Sequence, residues 1–255
     1  MSYPADVRRA FERFTTEVGR AHRTRGLVGV VGTTGRLVGR QLRRPLDYGR
    51  EYALDRKYGL ETRGRRKIAA ETLDRGEHRD GVDFESTPPP SWRKVLRSLP
   101  IDDARDFTFV DLGCGKGFVL ALAALHGFGR VVGVELDPDL AQKARTNAQV
   151  LRERMSRPVE VVEGDATHFD LPTEPSVIYL YNPFGPQTMR DVVRNVDRSL
   201  TDRPRPLFVT YVNPLHRHVW DESSTLRRLA GNRHWAVYGS AEGSSGNRAS
   251  AFRER

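Results

Sequence analysis

The stretch Val110-Asp111-Leu112-Gly113-Cys114-Gly115-Lys116-Gly117 decides how the chain is read. An apolar run from Phe107 to Leu112 reads as a buried strand, and Phe118–Leu125 is apolar and helical in composition. A strand therefore runs into a helix through a loop with three glycines. Such loops allow a ligand to touch the backbone, and glycine alone takes positive φ cheaply. In open α/β sheets ligands collect at the carboxyl ends of the strands. The dinucleotide fingerprint G-x-G-x-x-G places its third glycine where this chain has Phe118, which argues against a pyrophosphate cofactor. Lys116 does not make a phosphate loop either, because the G-x-x-x-x-G-K-[S/T] spacing is absent. A nucleoside-like ligand without a pyrophosphate fits better.

Outward from the loop, strand and helix alternate. Val131–Glu135, Val159–Glu163, Ser176–Tyr181 and Leu207–Val212 read as strands, and 139–154 and 186–200 as helices. A helix near 223–229 and two strands, 234–239 and 248–253, are expected to close the chain. Repeated β-α units of this length predict a doubly wound α/β domain with a mostly parallel sheet. Upstream, Pro88, Pro89 and Pro90 read as a rigid break before a helix from Ser91 to Leu99, and another helix is expected around 64–73. The domain reading is a basic, mainly helical N-terminal arm and lid over 1–83, and a core over 84–255.

Each strand tip carries a polar residue suited to a nucleoside. Glu135, twenty residues after Gly115, ends the second strand, where a carboxylate can accept from both hydroxyls of a ribose. Asp165, in Glu163-Gly164-Asp165-Ala166, could accept from an adenine amine. The fourth strand ends in Tyr181-Asn182-Pro183-Phe184-Gly185. Taken singly, each such residue is as easily a turn or a helix cap. Their order on successive strands points to one nucleoside site.

The run from about Phe107 to Asn213 resembles the class I S-adenosylmethionine-dependent methyltransferases. The resemblance implies a seven-stranded Rossmann-like sheet whose last two strands form a β-hairpin, and S-adenosyl-L-methionine as cofactor. It also implies roles. Asp111, Gly113, Cys114, Gly115 and Gly117 would shape the loop around the methionine part, Glu135 and Leu136 the ribose side, and Asp165 and Ala166 the adenine side. Among relatives the chain looks like little-characterised bacterial methyltransferases similar to Dot1 and other lysine-directed enzymes, which often carry D-L-G-S-G. Cys114 stands where that serine would be and reads as a packing residue. Asn182-Pro183-Phe184 resembles the [D/N/S]-P-P-[F/Y/W] motif of amino-directed methyltransferases, with one proline missing. There the Asn oxygen and the proline carbonyl accept from the target nitrogen and the ring lines its pocket, so these three are the catalytic candidates. Comparable lysine-directed enzymes run segments like 58–64 and 84–88 over the cofactor, which makes Thr62, Glu85 and Thr87 further cofactor candidates. Tyr211 and Asn213 end the fifth strand at the same rim.

The charge is uneven. The 255 residues carry +9, and residues 1–50 alone carry eleven Arg and no Lys against Asp6, Glu12, Glu17 and Asp47, a balance of +7. Residues 4–25 have Val7, Phe11, Phe14, Val18 and Ala21 on one helical face, and the glycine-rich 26–39 reads as a hinge or loose helix. Such an arm suits nucleic acid or an anionic membrane surface, and equally reads as a solvated basic helix or one serving an acidic protein partner; with a small-metabolite acceptor it would serve homo-oligomerisation or substrate gating. One cysteine excludes a disulfide framework, and no run of apolar residues is long enough to span a bilayer. The expectation is a cytoplasmic enzyme. His216 and His218 lack a third ligand at convincing spacing, so no metal is expected. The leading expectation is a methyltransferase acting on a nitrogen, most readily of a protein or peptide side chain. The alternatives are one acting on nucleic acid or a small metabolite, and a nucleic-acid or membrane-surface binding protein with a vestigial site.

Overall fold

A computed structural model describes residues 53–62, 65–66, 84–85, 89–156 and 158–244. The readings over 4–25, 26–39 and 248–253 lie outside the described residues. The central strand β1 (Thr108–Leu112) is buried along its whole length. Its neighbours β2 (Arg130–Glu135) and β4 (Ser176–Tyr181) both pair with it in parallel. Strand β3 (Val159–Glu163) adds to β2, and β5 (Leu207–Val212) adds to β4. The sheet is completed by an antiparallel hairpin, β6 (Leu226–Gly231) and β7 (Trp235–Ser240), with β7 against β5. The spatial order is β3-β2-β1-β4-β5-β7-β6, seven strands in one sheet. This is the Rossmann-like architecture of class I methyltransferases.

Consecutive strand residues point to opposite faces, so a sheet covered on both sides needs apolar residues at every position. Phe109 and Tyr179 enter a core with helices α1 (Pro89–Arg97), α2 (Phe118–His126) and α3 (Pro138–Met155). Their neighbours Val110 and Ile178 enter a second core with α4 (Pro186–Asp202) and α5 (Arg217–Asp221). In the first core the Trp92 ring meets Phe109 edge-on at 5.3 Å. A short helix, α6 (Ala241–Ser244), ends the described chain.

Three local readings are corrected. Residues 223–229 are not helical: Asp197 on α4 accepts from the Ser223 and Thr225 hydroxyls and from the amides of Ser224 and Thr225. Side chains that bond nearby backbone draw Ser and Thr into turns, and the turn launches β6. The closing hairpin is therefore 226–231 with 235–240. The prolines do not break the chain before α1; Pro89 and Pro90 form its first turn, where a missing N–H costs nothing. In the expected helix at 64–73, Arg65–Arg66 instead pairs antiparallel with Phe84–Glu85.

The described residues form one compact unit. Leu60, ahead of the expected boundary at 84, is buried in the first core. The stretch 53–62 thus packs on the sheet domain, with Leu54 and Tyr58 also against that core.

Candidate active site

The glycine loop follows from β1. Gly113, Gly115 and Gly117 have φ of 82°, 55° and 83°, all in the left-handed region. Gly113 and Cys114 donate their amides to the Val134 carbonyl at 2.9 and 3.0 Å, which ties the loop to β2. A Cβ on Gly113 would lie 2.7 Å from Pro183 Cβ, so the glycine loop and the loop after β4 touch there. Cys114 packs inward: its sulfur fills the space a Cβ on Gly133 would need. Burial pushes its thiol well up, with Glu135 and Asp111 adding in the same direction, so the thiolate is disfavoured.

Glu135 is buried and held at both oxygens. Oε2 accepts from the Gly115 amide at 2.8 Å and Oε1 from the Asp137 amide at 2.9 Å. Burial raises its pKa, against the lowering effect of those amides. Each carboxylate oxygen retains a further lone-pair direction. Asp137 caps α3 by accepting from the amides of Asp139 and Leu140.

Asp111 is 3% exposed. Its carboxyl has no hydrogen-bond or ion-pair partner among the described residues, and burial, then repulsion from Glu135, raise its pKa well above the usual range. A buried carboxyl without a partner is costly, and a cationic ligand would offset that cost. The sulfonium cofactor's methionine portion carries such a cation, its ammonium. The two carboxyls at the tips of β1 and β2, beside a loop of three left-handed glycines, therefore fit S-adenosylmethionine.

At the tip of β4, Asn182 is buried with φ 44°, and its Oδ1 accepts from the Tyr211 hydroxyl at 2.7 Å. The Tyr211 oxygen in turn accepts from the His216 amide at 3.3 Å. Burial pushes the Tyr211 phenol up to about 12, so it stays a donor at neutral pH. Phe184 is partly buried against the second core. Asn213 ends β5 with φ 51°, its amide donating to His234.

The structure thus brings Asp111, the glycine loop, Cys114 and Glu135 together, with Pro183 against them. Leu136, partly buried, follows Glu135 directly. Asp165 is half committed elsewhere: its Oδ1 accepts from the Thr167 amide and hydroxyl, both at 2.8 Å, while Oδ2 lies 3.5 Å from His168 Nδ1. Ala166 is buried in the second core. Thr62 lies on the same unit as the glycine loop. It is fully buried, its hydroxyl donates to Asp55 Oδ1 at 2.6 Å and its amide to Asp55 Oδ2, so its side chain secures the turn after residues 53–58. Thr87 and the side chain of Glu85 lie outside the described residues. The His216 and His218 rings stand 6.4 Å apart, and among the described residues no three metal-ligating side chains cluster.

Asn147 was not singled out from sequence. It is 4% exposed on α3, exchanges bonds with the Glu61 amide and carbonyl, and donates to the Lys116 carbonyl at 2.9 Å. It joins the 53–62 segment to the glycine loop. A polar residue on the stripe of Leu140, Ala144, Ala148 and Leu151 was the available signal.

The sheet order is that of the class I methyltransferase fold, and a family model described as "Methyltransferase domain" matches residues 109–203 of the chain. The chain is similar to the ribosomal protein L11 methyltransferase of Tolumonas auensis, 40% identical over 70 residues, 27% of this chain and 24% of that protein. The L11 methyltransferase of Alteromonas mediterranea is 44% identical over the same length and shares. The chain spans about a quarter of the length of these curated relatives. Among solved structures, it is similar to an RNA methyltransferase from Salinibacter ruber in complex with S-adenosyl-L-homocysteine, with 25% identity, 61% of this chain and 92% of that one covered and a TM-score of 0.44. The resemblance to Dot1-like enzymes has no support from these relatives. No helix among the described residues is long and apolar enough to cross a membrane.

Proposed function

We propose that the protein transfers a methyl group from S-adenosylmethionine to a nitrogen of a protein or peptide side chain. The observation that carries this reading is the Gly113–Pro183 contact, which sets Asn182-Pro183-Phe184 directly against the cofactor loop. The bound sulfonium supplies an activated methyl group. Positioning an acceptor in line with it then supplies most of the acceleration. Asn182 Oδ1 uses one lone pair on Tyr211, which leaves one for an N–H of the acceptor. In this reading Glu135 and Leu136 hold the ribose side, Asp111 the ammonium, and Asp165 and Ala166 border the adenine. The curated relatives' names, ribosomal protein L11 methyltransferase, support a protein acceptor. The balance of +7 over residues 1–50 favours a nucleic-acid acceptor as the second reading.

Tritium transfer from labelled S-adenosylmethionine into cell extract, separated into protein, RNA and small-molecule fractions, decides between them. Label in protein is the expected result. Label confined to RNA would establish the second reading. No heat on calorimetric titration with S-adenosylhomocysteine would remove the cofactor site itself.

A further inference from the structure

Next to Tyr211, which pairs with Ala236 across β5 and β7, the structure has a groove of about 330 Å³ lined by Arg217, Arg228, Leu229, Ala230, Gly231 and Ala236. It adjoins the candidate acceptor residues through the chain: Asn182 bonds Tyr211, Tyr211 bonds the His216 amide, and Arg217 is the next residue. The two guanidiniums share one carboxylate. Asp221 lies 3.8 Å from Arg217 and 3.4 Å from Arg228, and it also accepts from the Tyr238 hydroxyl at 3.0 Å. One anion between two permanent cations leaves the groove positive. Leu215, two residues before Arg217, is 66% exposed.

We propose that this groove holds a carboxylate of the acceptor, so that the methylated nitrogen comes from an acidic stretch of polypeptide. The inference rests on the protein-acceptor reading above and names its substrate class. A peptide fits better than a nucleic acid for two reasons. The rest of the groove lining is aliphatic and backbone, and the exposed apolar residue two positions from Arg217 in the chain is a leucine, Leu215. Single-stranded nucleic acids are bound on aromatic platforms, whereas the large exposed apolar side chains among the described residues are Leu125, Val162 and Leu215. A carboxylate entering between Arg217 and Arg228 would take the fork geometry that guanidiniums favour, while Leu215 covers an apolar neighbour of the acidic residue.

The test uses the full-length protein saturated with S-adenosylhomocysteine and three fluorescein-labelled probes. One is a decapeptide of glutamate and alanine around a single lysine, the second has glutamine for each glutamate, and the third is a ten-nucleotide oligouridylate. The acidic peptide should bind at least tenfold tighter than its glutamine counterpart, and R217A/R228A should abolish that difference. Asp221→Asn, which removes the competing carboxylate, should tighten the acidic peptide severalfold, an effect of opposite sign that misfolding would not produce. Oligouridylate binding should be unchanged by R217A/R228A. Failure of the acidic peptide to bind, equal binding of the two peptides, or no loss in R217A/R228A would overturn the groove assignment. A larger loss for oligouridylate than for the acidic peptide would assign the groove to phosphodiesters. The acceptor reading fails separately, by tritium appearing only in RNA; tritium in protein that is unaffected by R217A/R228A overturns the groove alone.

Discussion

Tyr211 donates its phenol proton to Asn182 Oδ1 across 2.7 Å, and both side chains are buried. The bond joins the tips of neighbouring strands β4 and β5. Asn182 sits at φ 44°, a conformation that asparagine tolerates better than most residues. Tyr211 therefore positions the carbonyl oxygen assigned to the acceptor nitrogen. Tyr211→Phe should cost about 1–3 kcal/mol of stability through the unpaired oxygen. It should lower kcat while leaving affinity for S-adenosylhomocysteine unchanged. An unaltered kcat in a folded Tyr211→Phe protein would separate Asn182 from the reaction.

The Gly113–Pro183 approach makes a second prediction. Gly113→Ala would place a methyl 2.7 Å from Pro183 Cβ at a φ of 82°. The backbone conformation alone costs about 1–2 kcal/mol for a residue with a Cβ, and the clash adds to it. Gly113→Ala should lower the melting temperature by several degrees and abolish S-adenosylhomocysteine binding. Gly164→Ala is the control, because its methyl would meet only Val162 Cγ1 at an ordinary 3.9 Å. Equal effects of the two substitutions would refute the close approach as the cause.

The parts of the fold readable from sequence were those whose environment is uniform. Strands 176–181 and 207–212 have the boundaries their apolar runs predict, since strands inside a sheet with both faces covered need apolar residues throughout; the edge strand 159–163 is only partly buried and was readable from its β-branched valines. The glycine loop and Glu135 were readable because strand tips impose a fixed order on a ligand site. What depended on distant partners was not. Ser223 to Thr225 look helical until Asp197, on another element, takes their hydroxyls and amides. Nothing in the sequence shows that the Thr62 hydroxyl bonds Asp55. Nothing in the periodicity of α3 shows that Asn147 reaches the Lys116 carbonyl.

Asp111 makes cofactor binding dependent on pH. Its folded pKa is raised by burial and by Glu135 above the ordinary 3.8. Folding therefore favours the protonated form. The stability this contributes is full below 3.8 and is lost as pH rises through the folded value. The ligand's ammonium favours the ionised form, so affinity for S-adenosylhomocysteine should rise over the same interval. Below the folded pKa, binding should release up to about one proton, seen as a calorimetric heat that varies with the ionisation enthalpy of the buffer. Asp111→Asn should flatten the profile and remove that release. Persistence of proton release in Asp111→Asn would assign it to another group.

Asn147 is the joint between the 53–62 segment and the cofactor loop, so its loss should be felt at both. It accepts from the Glu61 amide at 2.9 Å and donates to the Glu61 and Lys116 carbonyls at 3.2 and 2.9 Å. Beside it, the exposed Lys143–Glu61 ion pair at 2.9 Å contributes little by itself. Asn147→Ala removes three largely buried hydrogen bonds, a loss of about 2–4 kcal/mol. Because one of them restrains the glycine loop, affinity for S-adenosylhomocysteine should fall severalfold. Asn147→Asp tests the geometry further. It keeps an acceptor for the Glu61 amide but turns a negative oxygen toward two carbonyls, so it should destabilise at least as much as alanine. Proteolysis near residues 53–62, slowed by S-adenosylhomocysteine in the native protein, should lose that protection in both variants. If the ligand still protects the segment in Asn147→Ala, the joint runs through other contacts, of which the burial of Leu60 is the first to test.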